Sequence, residues 1–200
     1  MCGLKEKRTT WEPPKSLWEP RTPTIVNRMA VYAPQVDVDV KFSNWKVHIA
    51  SASIEGKPDS EVGVNTTLWQ YTAFTSIFCP MDLLYVFTNA SDAVYDSTKS
   101  LWIVDCDLTK AKNVVFNIGG TGNTTDSSTK PLKLTGADYI KYYKYYDICY
   151  LSVYGSKYYT TVELPAQFMN NHCLAYNAKE KSIGFADAKW VNKDPKTYGK

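Results

Sequence analysis

The sequence predicts a mainly β domain carrying two short helices. Three observations lead there. From about residue 30 onward, apolar and polar residues alternate with the period of two that a half-buried strand requires. Aromatic residues are abundant, with 15 Tyr, 6 Trp and 7 Phe in 200 residues, and aromatic side chains favour strands. Helix signals are confined to two short stretches, 81–86 and 165–171.

Taken in order, Val36-Asp37-Val38-Asp39-Val40-Lys41-Phe42 alternates as a strand, as does Trp45-Lys46-Val47-His48-Ile49. Ala52-Ser53-Ile54 follows, closed by a turn at Glu55-Gly56-Lys57-Pro58. Met81 to Val86 comes directly after Pro80, a residue suited to the start of a helix. Leu101–Val104 and Val114–Ile118 have the apolar runs of buried strands, and Gly119-Gly120-Thr121-Gly122-Asn123 has turn chemistry. Leu132–Leu134 is a strand, Ala137–Ile140 a short turn or strand, and Ile148–Val153 a further strand. Pro165–Asn171 is the second helix. Cys173–Asn177 and Ser182–Ala186 form a closing hairpin around Ala178–Lys181.

Composition bounds the function. Hydrophobic residues at 44% and charged residues at 22% are globular values, so the chain is not disordered as a whole. Its length suits one domain with an arm. No apolar run approaches the roughly 18 residues of a membrane span. A net charge of +3, with both signs interleaved, does not point to nucleic acid. The organisation expected is an extended arm over 1–28, a β lobe over 29–192 and a polar tail over 193–200. In the arm, Trp11-Glu12-Pro13 recurs as Trp18-Glu19-Pro20, and its prolines favour an extended chain. Read plainly the arm is a linker. Read for function it docks, with Trp11 and Trp18 as binding residues covering apolar surface.

Motifs for nucleotide, metal or serine chemistry are missing. No G-x-S-x-G, P-loop lysine or H-E-x-x-H occurs, and Gly119-Gly120-Thr121-Gly122 lacks the helix a phosphate loop would open. The histidines, His48 and His172, read as structural, and no metal site or cofactor is expected. The cysteines are Cys2, Cys79, Cys106, Cys149 and Cys173, with no C-x-x-C pair. Sequons at Asn65, Asn89 and Asn123, with four cysteines beyond Cys2, point to an oxidising secretory setting and N-glycosylation. The N-terminus, Met1-Cys2-Gly3-Leu4-Lys5, has no apolar signal core. Either a leader has been removed or the protein is intracellular.

From residue 114 onward the order of segments resembles a known family. Val114-Val115-Phe116-Asn117-Ile118-Gly119-Gly120 is followed by Leu132–Ile140, Cys149, Phe168–Asn177 and Lys181-Ser182-Ile183-Gly184-Phe185-Ala186. This resembles the C-terminal lobe of the pepsin-like aspartic proteases, with Ile183-Gly184-Phe185-Ala186 its most specific piece. The resemblance covers about residues 30–190 and implies one lobe of a double-barrel fold. It implies a Cys106–Cys149 disulfide, with Cys79–Cys173 as a second pair.

It also locates where catalysis should sit. Counted back from Pro80, the family's Asp-Thr/Ser-Gly-Thr-Ser falls on Tyr71-Thr72-Ala73-Phe74-Thr75. Tyr71 stands at the aspartate and Ala73 at the glycine, so the lobe is expected to be a pseudo-protease. The family's chemistry needs two carboxylates sharing a proton about 3 Å apart. A phenol, with an ordinary pKa of about 10, replaces neither. The expected function is a non-catalytic binding module, with Tyr71 and Phe74 as binding residues. A protein partner or a second copy would cover the surface a missing lobe leaves open. The alternatives are the C-terminal lobe of an endopeptidase whose other lobe is a separate chain, and a glycan-binding or structural β domain.

Overall fold

The structure, a computed structural model, describes residues 31–35, 45–71, 73–120 and 128–188. The expected strand 36–42, the arm with Trp11 and Trp18, the tail 193–200, Cys2, Thr72 and Asn123 lie outside the described residues. So do the ends of the expected lobe.

The elements run β1 (Val31–Pro34), β2 (Lys46–Ile54), β3 (Lys57–Gln70), β4 (Ile77–Pro80), α1 (Met81–Ser91), β5 (Val94–Asp96), β6 (Leu101–Val104) and β7 (Val114–Ile118). They continue with β8 (Lys130–Leu134), α2 (Gly136–Tyr139), β9 (Ile140–Tyr143), β10 (Ile148–Leu151), β11 (Val153–Ser156), β12 (Thr161–Leu164), α3 (Phe168–Asn171), β13 (His172–Asn177) and β14 (Ser182–Asp187). Mainly β is therefore the fold class. The helices number three among the described residues, one more than the sequence predicts. The addition is α2, where a turn or strand was expected. Asp138 accepts from the backbone N–H of Thr135 at 2.7 Å and from its hydroxyl at 3.0 Å, which closes a single helical turn.

Three sheets form. The largest has seven strands in the order β11-β4-β12-β3-β2-β7-β8. A four-stranded sheet runs β5-β6-β10-β9, and a three-stranded one β1-β14-β13. The expected strand 148–153 is divided between two of these. The Ser152 N–H donates to the Tyr139 carbonyl at 2.7 Å instead of to a ladder, so β10 and β11 enter different sheets. Trp45–Ile49 and Ala52–Ile54 join as one strand whose pairing shifts register between Ile49 and Ser51 and between Ala52 and Ile54. The turn after it is tighter than expected: Gly56 takes φ 77° and β3 already begins at Lys57. Gly119 and Gly120, at φ 93° and 75°, lead out of β7 as turn residues should.

The core lies between α1 and one face of the large sheet. β-strand alternation sends Val153, Ile77, Val162, Leu68 and Val47 to this face, all buried. On α1, Leu83, Leu84, Val86, Phe87 and Ala90 fill it, and Phe87 meets the rings of Tyr139 and Phe116 at 5.3 and 6.0 Å. Gly155 permits the helix to come this close, since a Cβ there would lie 2.5 Å from the Cβ of Leu84.

Candidate functional site

The seven-stranded sheet has one topological peculiarity. β3 and β4 are joined by the short loop 71–76 yet do not pair. β12 lies between them, parallel to β3 and antiparallel to β4. The loop therefore bridges over the end of β12, and the Tyr71 N–H donates to the Leu164 carbonyl at 2.9 Å. Its far end is fixed by Ser76, whose buried hydroxyl lies 2.8 Å from that of Ser152. The loop sequence brings no carboxylate: the described positions are Tyr71, Ala73, Phe74, Thr75 and Ser76.

Tyr71 and Phe74, both expected as binding residues, come together with ring centroids 5.0 Å apart. They belong to a larger ladder of rings. Trp69 lies 4.8 Å from Tyr71, Phe78 lies 4.7 Å from Phe74, and Tyr154 and Tyr159 lie 5.6 and 5.5 Å from Phe78. Phe74, Tyr154 and Tyr159 are 42%, 46% and 37% exposed, so the ladder is open to solvent. A hollow of about 380 Å³ opens among Phe74, Thr75, Ser76, Phe78 and Tyr154.

The strand registers give this surface order. Tyr154 pairs with Phe78, Phe78 with Glu163, Glu163 with Trp69, and Trp69 with Lys46. Paired residues point to one face, so the five make a single row across β11, β4, β12, β3 and β2, opposite α1. The Lys46 ammonium lies 5.4 Å from the Trp69 ring centroid, a cation–π contact. Trp69, Phe78, Glu163 and Lys46 were not expected as site residues. Trp69 carried a usable signal: it stands two before Tyr71, on the same side of any strand that contains both.

A larger hollow, about 670 Å³, lies elsewhere, between the β2–β3 turn and the end of α1. Lys57, Asp59, Asn89 and Asp92 line it, and no aromatic residue does. A second group of exposed rings, including Tyr143, Tyr145 and Tyr146, sits on the β9–β10 hairpin of the four-stranded sheet. His48 donates from Nε2 to Asn65 Oδ1 at 2.8 Å. His172 is stacked on Phe168 at 4.0 Å, with Nε2 3.2 Å from the buried Asp138 carboxylate. No group of three or more His, Cys, Asp or Glu suited to a metal occurs among the described residues.

The lobe resembled in the sequence closes on β13 and β14, joined over His172–Asn177 and Ser182–Asp187 in one antiparallel ladder, with Ile183-Gly184-Phe185-Ala186 inside it. A family model described as eukaryotic aspartyl protease matches residues 31–188. The chain belongs to the aspartyl protease family. The mainly β architecture is that of a single pepsin-like lobe. No curated protein matches the chain.

The disulfides of this aspartyl protease lobe follow the expectation in part. Cys106 and Cys149 are bonded. The second expected pair does not form: Cys79 is free and buried, while Cys173 is disulfide-bonded to another cysteine. Strand direction explains it. Cys79 points under α1, and Cys173 lies in the separate three-stranded sheet. Burial pushes the Cys79 thiol up to about 12. Asn65 and Asn89 are exposed, on β3 and α1. No helix among the described residues is long and apolar enough to cross a membrane.

Proposed function

We propose that this aspartyl protease lobe is non-catalytic and acts by binding a protein through the aromatic face beside the 71–76 loop. The observation that carries the reading is Tyr71. At the loop position where the family's aspartate is expected, the sequence has a phenol, in tilted ring contact with Trp69 and Phe74. The loop supplies no carboxylate to share a proton. What it supplies is ring area, and aromatic anchors of this kind dominate protein interfaces. The Cys106–Cys149 bond supports an oxidising, secretory setting, in which Asn65 and Asn89 would carry glycans.

The test is cleavage of a denatured protein substrate at pH 3–5. The expected result is none. Cleavage that a transition-state-mimicking aspartic protease inhibitor blocks would refute the proposal. It would favour the reading of an endopeptidase lobe completed by another chain.

A further inference from the structure

The centre of the aromatic row is a charge. Glu163 sits on β12 between Trp69 and Phe78 and is half-buried. Among the described residues its carboxylate has neither an ion-pair nor a hydrogen-bond partner. The nearest cation in the row, Lys46, is two strands away and occupied with the Trp69 ring. Partly desolvating a carboxylate without a partner is costly, and the cost is recovered when a cation arrives.

The surroundings select the cation. The strands carrying Trp69 and Phe78 each lie about 4.8 Å from β12, which leaves the two side chains roughly 10 Å apart with the carboxylate between them. A flat, weakly hydrated guanidinium suits a carboxylate set in a row of rings. It can stack against ring faces while forking onto the carboxylate, whereas an ammonium offers only a compact, strongly hydrated charge. Beyond Phe78 the surface continues through Phe74, Tyr154 and Tyr159, more ring area than one side chain covers. A nucleic acid or another polyanion would meet the carboxylate head-on.

We propose that Glu163, flanked by Trp69 and Phe78, is a site for an arginine side chain presented by a protein partner. The inference rests on the binding reading above and adds the chemistry of the partner's anchor. Tyr154 and Tyr159 then contact apolar residues beside that arginine, and Lys46 limits the basic charge the partner can carry toward β2.

The experiment uses the full chain and small probes followed by NMR titration. N-acetyl-arginine amide should shift ring resonances of Trp69 and Phe78 saturably. N-acetyl-citrulline amide, of the same shape without charge, should bind at least tenfold more weakly, and N-acetyl-lysine amide severalfold more weakly. Glu163→Gln should remove the preference for arginine over citrulline while leaving the melting temperature near that of the parent. Equal binding of arginine and citrulline to the parent, or an unchanged preference in Glu163→Gln, overturns the proposal. So does the absence of saturable binding. If a full-length Arg8→Gln/Arg21→Gln/Arg28→Gln variant gains binding that the parent lacks, the occupant is the chain's own N-terminal segment and the partner assignment is overturned. The protease assay judges the non-catalytic reading separately, so loss of the arginine site leaves that result standing.

Discussion

The two faces of the seven-stranded sheet are made by the same strands and differ in almost everything else. On β4, Ile77 and Cys79 point one way and are buried, while Phe78 points the other and is half-buried. On β12, Val162 and Leu164 are buried and Glu163 faces outward. The closed face is aliphatic and matched by a helix at contact distance. The open face carries rings and charges that are only half-buried, with Tyr71 and Phe74 of the 71–76 loop lying against Trp69 and Phe78. On β4 and β12 alternation thus separates a buried side from a half-buried one, and substitutions one residue apart there should fall into different classes.

Four experiments would break or sharpen that contrast. The largest effect is expected on the closed face, from Phe87→Ala. The side chain is fully buried against Tyr139 and Phe116, and its loss should cost about 3–5 kcal/mol in chemical denaturation. A loss below 1 kcal/mol would mean that α1 is not part of the core. Next is the Cys106–Cys149 bond, which joins the same apolar cluster across a sequence separation of 43. Replacing both residues by Ser should cost about 2–4 kcal/mol, mainly by freeing the unfolded chain. Non-reducing peptide mapping that found both thiols free would remove its basis.

The third experiment crosses to the open face. Phe78→Ala should cost only about 1 kcal/mol, since its ring is already partly in water, yet weaken the arginine probe severalfold. A stability loss matching that of Phe87→Ala would erase the distinction between the faces. The smallest effect is chemical. Cys79, whose thiol burial raises from 9.0 to about 12, should stay inert to a thiol reagent at pH 8 until the protein unfolds. The linkage has a definite sign. Between pH 9 and 12 the unfolded thiol ionises while the folded one holds its proton, so stability falls as pH rises. Tyr139 adds to this above pH 10, its phenol raised first by burial and then by the Asp138 charge. Melting temperatures that rise between pH 9 and 11 would contradict both shifts.

Legibility in the sequence followed burial. Strands with an apolar side, such as β6, β7 and the β13–β14 hairpin, stand where the pattern placed them. β3 did not announce itself. Its first half, Lys57-Pro58-Asp59-Ser60-Glu61, is polar and exposed, held by pairing with β2 and not by its own apolar residues. β5 and β12 are three and four residues long, too short for a period to show. Tyr71 and Phe74, whose rings meet at 5.0 Å, could be singled out in the sequence because the loop that the resemblance implies can be counted back from Pro80. Glu163 was not. Its place between Trp69 and Phe78 depends on pairing between residues about 90 positions apart, which no local pattern encodes.

The insertion of β12 between β3 and β4 also constrains how the polypeptide leaves the ribosome. Two strands made within ten residues of each other must wait until residue 164 emerges before the gap between them is filled. Until then each presents an open edge, and the aromatic residues beside them are exposed together. Long-range closure of this kind is slow compared with hairpin formation. A nascent chain arrested with residue 156 outside the exit tunnel should bind a holdase chaperone and be cut readily by protease. One arrested with the whole lobe outside should do neither. β12, the middle strand of the aromatic row, is thus also the latch whose late arrival commits the lobe to its native sheet.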